Sequence, residues 1–286
     1  MKKLGLWASL VLAIAAFAYL YRAVIDKLVY DWANDGNYSH GFLIVPIAAY
    51  LVWERRKRLA KTPIEPSVFG LVLLVGSLAT LTAGILGAEL FLSRVSMIGV
   101  VAGVILFTTG WRVLRLLMFP LAFLLLMVPI PAIIFNQIAF PLQLLASRGA
   151  ELTLSMFEIP VLREGNVIVL ANTSLEVAEA CSGIRSLISL VTLAIVYGYF
   201  TDDRIWARVV LTLAAVPVAV TANAVRVAGT GVAAHYYGPE AAEGFFHTFS
   251  GWMLFVVAFV MLFAIQKLLG VGNAAERSRD VRVAEV

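Results

Sequence analysis

Apolar runs of near-membrane length recur along the chain, separated by short polar loops. Set against the roughly 20 apolar residues that cross a bilayer, they fall near residues 4–21, 38–53, 68–86, 95–111, 114–135, 183–200, 208–230 and 249–269. The pattern predicts an all-α polytopic membrane protein of about eight transmembrane helices, organised as a single integral membrane domain over residues 1–286. The second run is short and opens on Tyr38, Ser39 and His40, while Pro120, Pro129 and Pro131 interrupt the fifth. Either is therefore open to being a broken or re-entrant segment. The first run follows Lys2 and Lys3, as a signal peptide would. Its core exceeds the roughly 7 to 15 residues of a cleavable one, so it reads as a retained anchor.

The sizeable stretch outside the runs, about 136–182, changes character twice. Residues 136–157 mix apolar and polar positions as an interfacial amphipathic helix does. Residues 166–180 read as extended: Asn166 to Leu170 and Ser174 to Ala178 flank Ala171-Asn172-Thr173, which predicts a small β-hairpin leading into the sixth run. Residues 270–286 form a short charged tail, expected to be disordered.

Composition agrees with a membrane protein: 61% hydrophobic and 14% charged residues. The net charge of +4 does not point to nucleic acid, because the basic residues lie in short loops without a clustered face. They report orientation instead. With eight spans, Lys2, Lys3, Arg55, Arg56, Lys57, Arg58, Lys61, Arg112, Arg115, Arg204, Arg208, Lys267, Arg277, Arg279 and Arg282 fall on one side, 15 of the 22 basic residues. By the positive-inside rule that side is cytoplasmic. Both termini are then cytoplasmic, and residues 136–182 and 231–248 lie outside.

Cys181 is the one cysteine in the chain. It has no partner for an intramolecular disulfide and makes a poor metal site by itself. An unpaired cysteine in a membrane helix is ordinarily a small apolar filler; this one sits where a polar stretch gives way to the sixth run, beside Ser182, a good N-cap residue. A thiol at a helix N-terminus gains from the macrodipole and free N–H groups, and Arg185 one turn on adds to this. Glu176 and Glu179 act in the opposite direction.

Arg226 lies 18 residues beyond the cytoplasmic Arg208, about 27 Å along a helix, and so reaches the outer surface. An arginine within a span either snorkels to anchor the helix end or marks a functional site. Asn223, three residues earlier, shares its face and would orient it or satisfy a neighbouring backbone group. His247 precedes the eighth run among aromatics, also at the outer surface. The three side chains supply a thiol nucleophile, a cation for a developing oxyanion and a general acid/base. Ser182 and Ser186 are alternative nucleophiles with no histidine and aspartate nearby to support them. His235 is the second choice of histidine. His40 fits a structural cap or the lining of a substrate cleft.

CSGIR at 181–185, ANAVR at 222–226, FHTFSG at 246–251, the early YSHG at 38–41 followed by a helix ending WERRKR, and REGNVIVL at 163–170 occur in this order and resemble the exosortase/archaeosortase family over essentially the whole chain. The resemblance implies a multi-pass cysteine transpeptidase/protease with nucleophile Cys181, arginine Arg226 and histidine His247 facing the outer side of a bacterial inner membrane, the periplasm in a Gram-negative cell. Family substrates are secreted proteins with a C-terminal sorting signal: a short signature such as Pro-Glu-Pro, a transmembrane helix and a basic cluster. They are passed to an acceptor nucleophile, often in bacteria that make exopolysaccharide. Some relatives carry a further C-terminal soluble domain, which is not expected in a chain ending at Val286.

The resemblance thus predicts cleavage through a thioester acyl-enzyme at the membrane surface. Arg185, Asn223, Glu179, Ser182 and His40 are the supporting or substrate-binding candidates. No metal or organic cofactor is implied. Expected partners are the tailed substrates, an unidentified acceptor, and membrane lipid in a cleft between spans. The competing class is a transporter or exopolysaccharide export component with Arg226 in its path. Transporters place key charges nearer the bilayer midplane, at broken helices or inverted repeats, and no repeat is evident here.

Overall fold

In the computed structural model, helix accounts for 82% of the chain, and every apolar run overlaps at least one helix. Residues 2–171, 174–176, 184–238 and 245–284 are described, in two units, 1–131 and 132–286. The expectation of eight spans changes at the level of length. Among the described residues, four helical stretches are long and apolar enough to cross a membrane: 69–86, 90–109, 205–237 and 251–270. The number is five if the broken pair 111–127 and 132–156 counts as one span. Val11–Leu20, Gly41–Glu54 and Arg185–Thr201 are apolar but shorter. Apolar composition marks a helix that avoids water; only length carries it across the bilayer.

The first unit begins with α1 (Lys2–Leu20) and α2 (Arg22–Asn34). Val24, Leu28 and Trp32 of α2 are buried at i, i+4 and i+8, an amphipathic stripe too short to register as a membrane run. After α3 (Gly41–Glu54) and the basic turn α4 (Arg56–Lys61), α5 (Phe69–Leu86) and α6 (Leu90–Thr109) form a tight hairpin. Its closeness rests on glycine: a Cβ at Gly70 would stand 2.1 Å from the Phe107 backbone, and one at Gly103 2.8 Å from that of Leu74. Small residues that let backbones meet are what packs helices in lipid. Arg94 of α6, only 2% exposed, is paired with Asp31 of α2, which Lys27 also contacts. A buried guanidinium needs that carboxylate, so the pair pins α2 to α6.

Helix α7 (Trp111–Phe123) runs into a 3₁₀ turn, Leu124–Met127, and helix then stops. Val128 and Ile130 each precede a proline, which disfavours helical backbone there. The carbonyls this break leaves without helical partners are taken up by side chains. Trp32 Nε1 donates to Met127 O at 2.9 Å, His40 Nε2 lies 3.1 Å from Leu126 O, and Tyr38 Oη donates to Ile130 O at 3.5 Å. Gly41 leaves room for the indole, since a Cβ there would stand 2.3 Å from Trp32 Nε1. The YSHG segment is thus a cap on the break, in the manner required of irregular backbone at membrane depth.

The second unit opens with α8 (Ala132–Met156), four residues earlier than the amphipathic helix expected from 136. The expected hairpin is part of a three-stranded antiparallel sheet, β1 (Val161–Glu164), β2 (Val167–Leu170) and β3 (Ser174–Glu176). β2 pairs β3 with Ile168 opposite Leu175, and β1 pairs β2 through a tight turn at Gly165, φ 65°. Ile168 and Leu170 pack with Ala146, Ala150 and Leu154 of α8. Then come α9 (Ile184–Thr201), α10 (Ile205–Tyr237) and α11 (Phe245–Ala284). The tail expected to be disordered is helix as far as Ala284, in keeping with the helix formers Ala274, Ala275, Glu276 and Arg277 that continue the turn.

Burial alone would raise the Asp31 carboxyl, but hydrogen bonds from Lys27 and Arg94 outweigh it and hold the group below its ordinary range. A carboxyl depressed in the folded state stabilises fully above the unfolded value near pH 4 and loses that stabilisation as pH falls through the folded value. Detergent-solubilised protein should accordingly hold a flat melting temperature down to about pH 4 and melt lower below it. Asp31→Asn should lower unfolding stability by about 3 kcal/mol by stranding Arg94, read by thermal denaturation; an unchanged melting temperature would show that the pair is not structural. Trp32→Phe should cost about 1–3 kcal/mol through the orphaned Met127 carbonyl, checked in the same melt.

Candidate active site

The site is built on α10, whose two halves pack differently. Leu211, Ala215, Val218, Ala219 and Ala222 meet Leu190 and Ala194 of α9 and Leu254, Ala258 and Leu262 of α11. Val227, Ala228 and Ala234, further along, meet α8 and the sheet. The alanines allow close approach of three helices, and close approach fixes their register.

That register can be read at two points. A Cβ at Gly198 of α9 would stand 3.5 Å from Arg208 Cα, so the two helices, joined by a three-residue turn, are level there. Fourteen residues back from Gly198 is Ile184; fourteen on from Arg208 is Ala222. The first turn of α9 therefore lies level with the α10 turn that precedes Arg226. At the other point, a Cβ at Gly251 of α11 would lie 3.9 Å from Arg226 Nη2. The guanidinium therefore lies beside the start of the spanning part of α11.

His247 belongs to the first turn of α11, four residues before Gly251. Asn223, 1% exposed, lies three residues before Arg226. Thr230 Oγ1 donates to the Arg226 carbonyl at 3.0 Å. Arg185 is exposed on the first turn of α9, and Ser186 is buried beside it. Cys181, Ser182 and Glu179 lie outside the described residues, as does any cap of α9. His235 is not gathered with these groups. It is nine residues beyond Arg226, about 14 Å along the helix, edge-on to Tyr236 with ring centroids 4.9 Å apart. His40 belongs to the capped break of the first unit.

The opposite ends of the same helices are clamped. Asp202, in the turn between α9 and α10, accepts from Arg204 Nε at 2.9 Å and Nη2 at 2.7 Å, and from Gln266 Nε2 of α11 at 3.2 Å. Arg204 Nη2 also donates to Leu269 O at 3.2 Å. Arg204 chiefly, against the cost of burial, holds the Asp202 carboxyl well below the usual carboxylate range. The clasp joins all three helices at the end remote from Arg226.

The sequence pattern passes over Gly251 and the clasp. The signal for Gly251 is its place one turn after His247 in FHTFSG. The clasp could be suspected from Asp202 and Arg204 in a loop three residues long, but Gln266, 64 residues away, has no signature of its own.

A family model described as transmembrane exosortase matches residues 32–264. No curated protein and no solved structure matches the chain. The match covers both units and includes Cys181, Arg226 and His247 within its bounds, and the chain belongs to the transmembrane exosortase family.

Proposed function

We propose that the protein is a membrane-embedded cysteine transpeptidase/protease that removes the C-terminal sorting signal of exported proteins at the outer face of the membrane. The observation that carries this reading is the seating of the Arg226 guanidinium against Gly251, one turn from His247, with the start of α9 at nearly the same level. Cys181 is three residues before Ile184, hence within about 11 Å of it along the chain. These observations support a reading in which nucleophile, cation and acid/base share one end of the α9, α10 and α11 bundle.

The tailed substrate enters with its own transmembrane helix, which sets the scissile peptide at the depth of the site. The Cys181 thiolate attacks the scissile carbonyl carbon, and the carbonyl π electrons move to oxygen. Arg226 stabilises that oxyanion. As the tetrahedral intermediate collapses, the C–N bond breaks, His247 gives its proton to the leaving amine, and the new C-terminus is held as a thioester on Cys181. An acceptor amine then attacks the thioester to form a new amide, or water attacks and frees a carboxylic acid; in both, His247 takes the nucleophile's proton and sulfur leaves as thiolate. The basic-residue bias supports an outward-facing site, and the inner membrane with its periplasmic side is what the family resemblance implies.

The test is the processing rate of a co-expressed reporter bearing a Pro-Glu-Pro, helix and basic-cluster tail, followed by intact mass. Cys181→Ala should leave the reporter whole. Arg226→Ala should slow processing about 10²–10³-fold, the usual loss for one oxyanion donor. His247→Ala should slow it about 10²–10⁴-fold, while His235→Ala stays near wild type. Processing by the Cys181→Ala protein, or full rates in Arg226→Ala, would sink the reading. Gln266→Ala, which opens the remote clasp, should lower thermal stability by about 1–2 kcal/mol and leave the processing rate at permissive temperature unchanged; an unaltered melting temperature would remove the clasp from the account.

A further inference from the structure

Two connections far apart in sequence come together at one end of the first unit. One joins α3 to α5 and contains α4; the other joins α6 to α7. Glu65 N donates to Thr109 O at 3.1 Å, Ser67 N to Leu106 O at 3.3 Å, and Arg55 Nη1 to Leu116 O at 2.8 Å. These bonds make one platform of residues 54–67 and 109–116. It carries seven basic residues against two acidic ones, Glu54 and Glu65.

The helices that end on the platform fix its depth. α5 starts at Phe69 and α6 finishes at Thr109, and both are long and apolar enough to cross a membrane. The end of such a helix lies where hydrocarbon gives way to headgroups. Trp53 and Trp111, 55% and 48% exposed, border the two connections, as tryptophan does at that boundary.

Most of the charge is not neutralised within the protein. Glu65 pairs with Arg112 at 3.3 Å, and Arg56 covers the Trp53 ring, 3.7 Å from its centroid. Lys57, Arg58, Lys61 and Arg115 are exposed, and their side chains have no hydrogen bond or ion pair among the described residues. Lys61 follows Lys57 by four positions and Arg58 by three, so like charges share a face of α4 and repel one another. An anion bound among them relieves that repulsion.

We infer that this platform binds the phosphate of an anionic phospholipid. A polybasic cluster beside a membrane-spanning helix attracts anionic headgroups, and each lysine or arginine near the surface adds to the attraction. Arg58 and Arg115 offer phosphate a planar fork of donors, and Lys57 and Lys61 add point charge. The exposed apolar side chains beside them, Trp53, Trp111, Val68 and Phe69, suit a lipid surface; a soluble polyanion gains nothing from that collar. The site uses none of the residues placed in the reaction, and its occupancy is read without a processing assay.

The experiment is native mass spectrometry of the full chain released from nanodiscs holding equal amounts of phosphatidylglycerol and phosphatidylcholine. Wild type should retain phosphatidylglycerol over phosphatidylcholine by about ten-fold, a margin that one or two cations near the surface supply. The combined variant Lys57→Gln, Arg58→Gln, Lys61→Gln, Arg115→Gln should bring the ratio below about two-fold. Arg277→Gln, Arg279→Gln, Arg282→Gln together remove charge elsewhere and should keep the wild-type ratio. Lys57→Gln with Lys61→Gln replaces the larger variant should that fail to fold, and should lower the ratio by at least about three-fold. A wild-type ratio near one, or an undiminished ratio in the platform variant, would overturn the proposal. So would equal loss in the control variant, which would make it a general effect of charge, or retention of a short polyglutamate peptide in place of the lipid, which would make the platform a docking site for acidic protein.

Discussion

The contact on which the functional half of the molecule depends is the alanine seam of α10. Ala215, Ala219 and Ala222 let α9 and α11 come close enough for their own alanines, Ala194 and Ala258, to be fully buried against them. Helices that meet through larger side chains can slide or re-pack with modest loss; helices in contact through small residues have little freedom of register. That register brings Gly251 to Arg226 and sets the start of α9 one turn away. The Asp202 clasp holds the far ends of the same helices, so strain at the site end cannot be relieved by sliding. The cost of ordering an arginine placed this way is met during folding.

The first unit solves a different problem. Its broken segment after α7 exposes carbonyls where helix has ended, and Trp32, Tyr38 and His40 cover them. Of the two roles open to His40, a structural cap or the lining of a substrate cleft, its contact with the Leu126 carbonyl is that of a cap. A histidine that bonds a carbonyl through Nε2 in a half-buried setting is poorly placed to exchange protons with a substrate.

Much of this was legible in the residues, for definite reasons. Helix positions followed from apolar runs, because a span must hide its backbone and its side chains alike. The β2–β3 pairing followed from alternation around Ala171-Asn172-Thr173. Arg226 and His247 stood out because charge near a membrane segment is expensive. Other features were hidden because they are three-dimensional facts with no local period. Four-residue β1 is a strand only because β2 lies beside it, and α2 shows a stripe of just three buried residues. The partnership of Asp202 with Gln266 links positions 64 residues apart. Eight spans are not confirmed for a related reason: Gly41–Glu54 is apolar up to its last residue, yet 14 residues give it about 21 Å, short of the bilayer core.

The proposed reaction requires Cys181 to meet Arg226 and His247 at one end of the α9, α10 and α11 bundle. The chain has one cysteine, so a second cysteine introduced singly reports distance to it directly. Arg226→Cys and His247→Cys, each with native Cys181 and treated in membranes with a short bifunctional thiol reagent, should give high yields of intramolecular cross-link. Val209→Cys, about 26 Å further down α10, should give none. Absence of cross-link at both upper positions, or equal yield at Val209→Cys, would contradict the account.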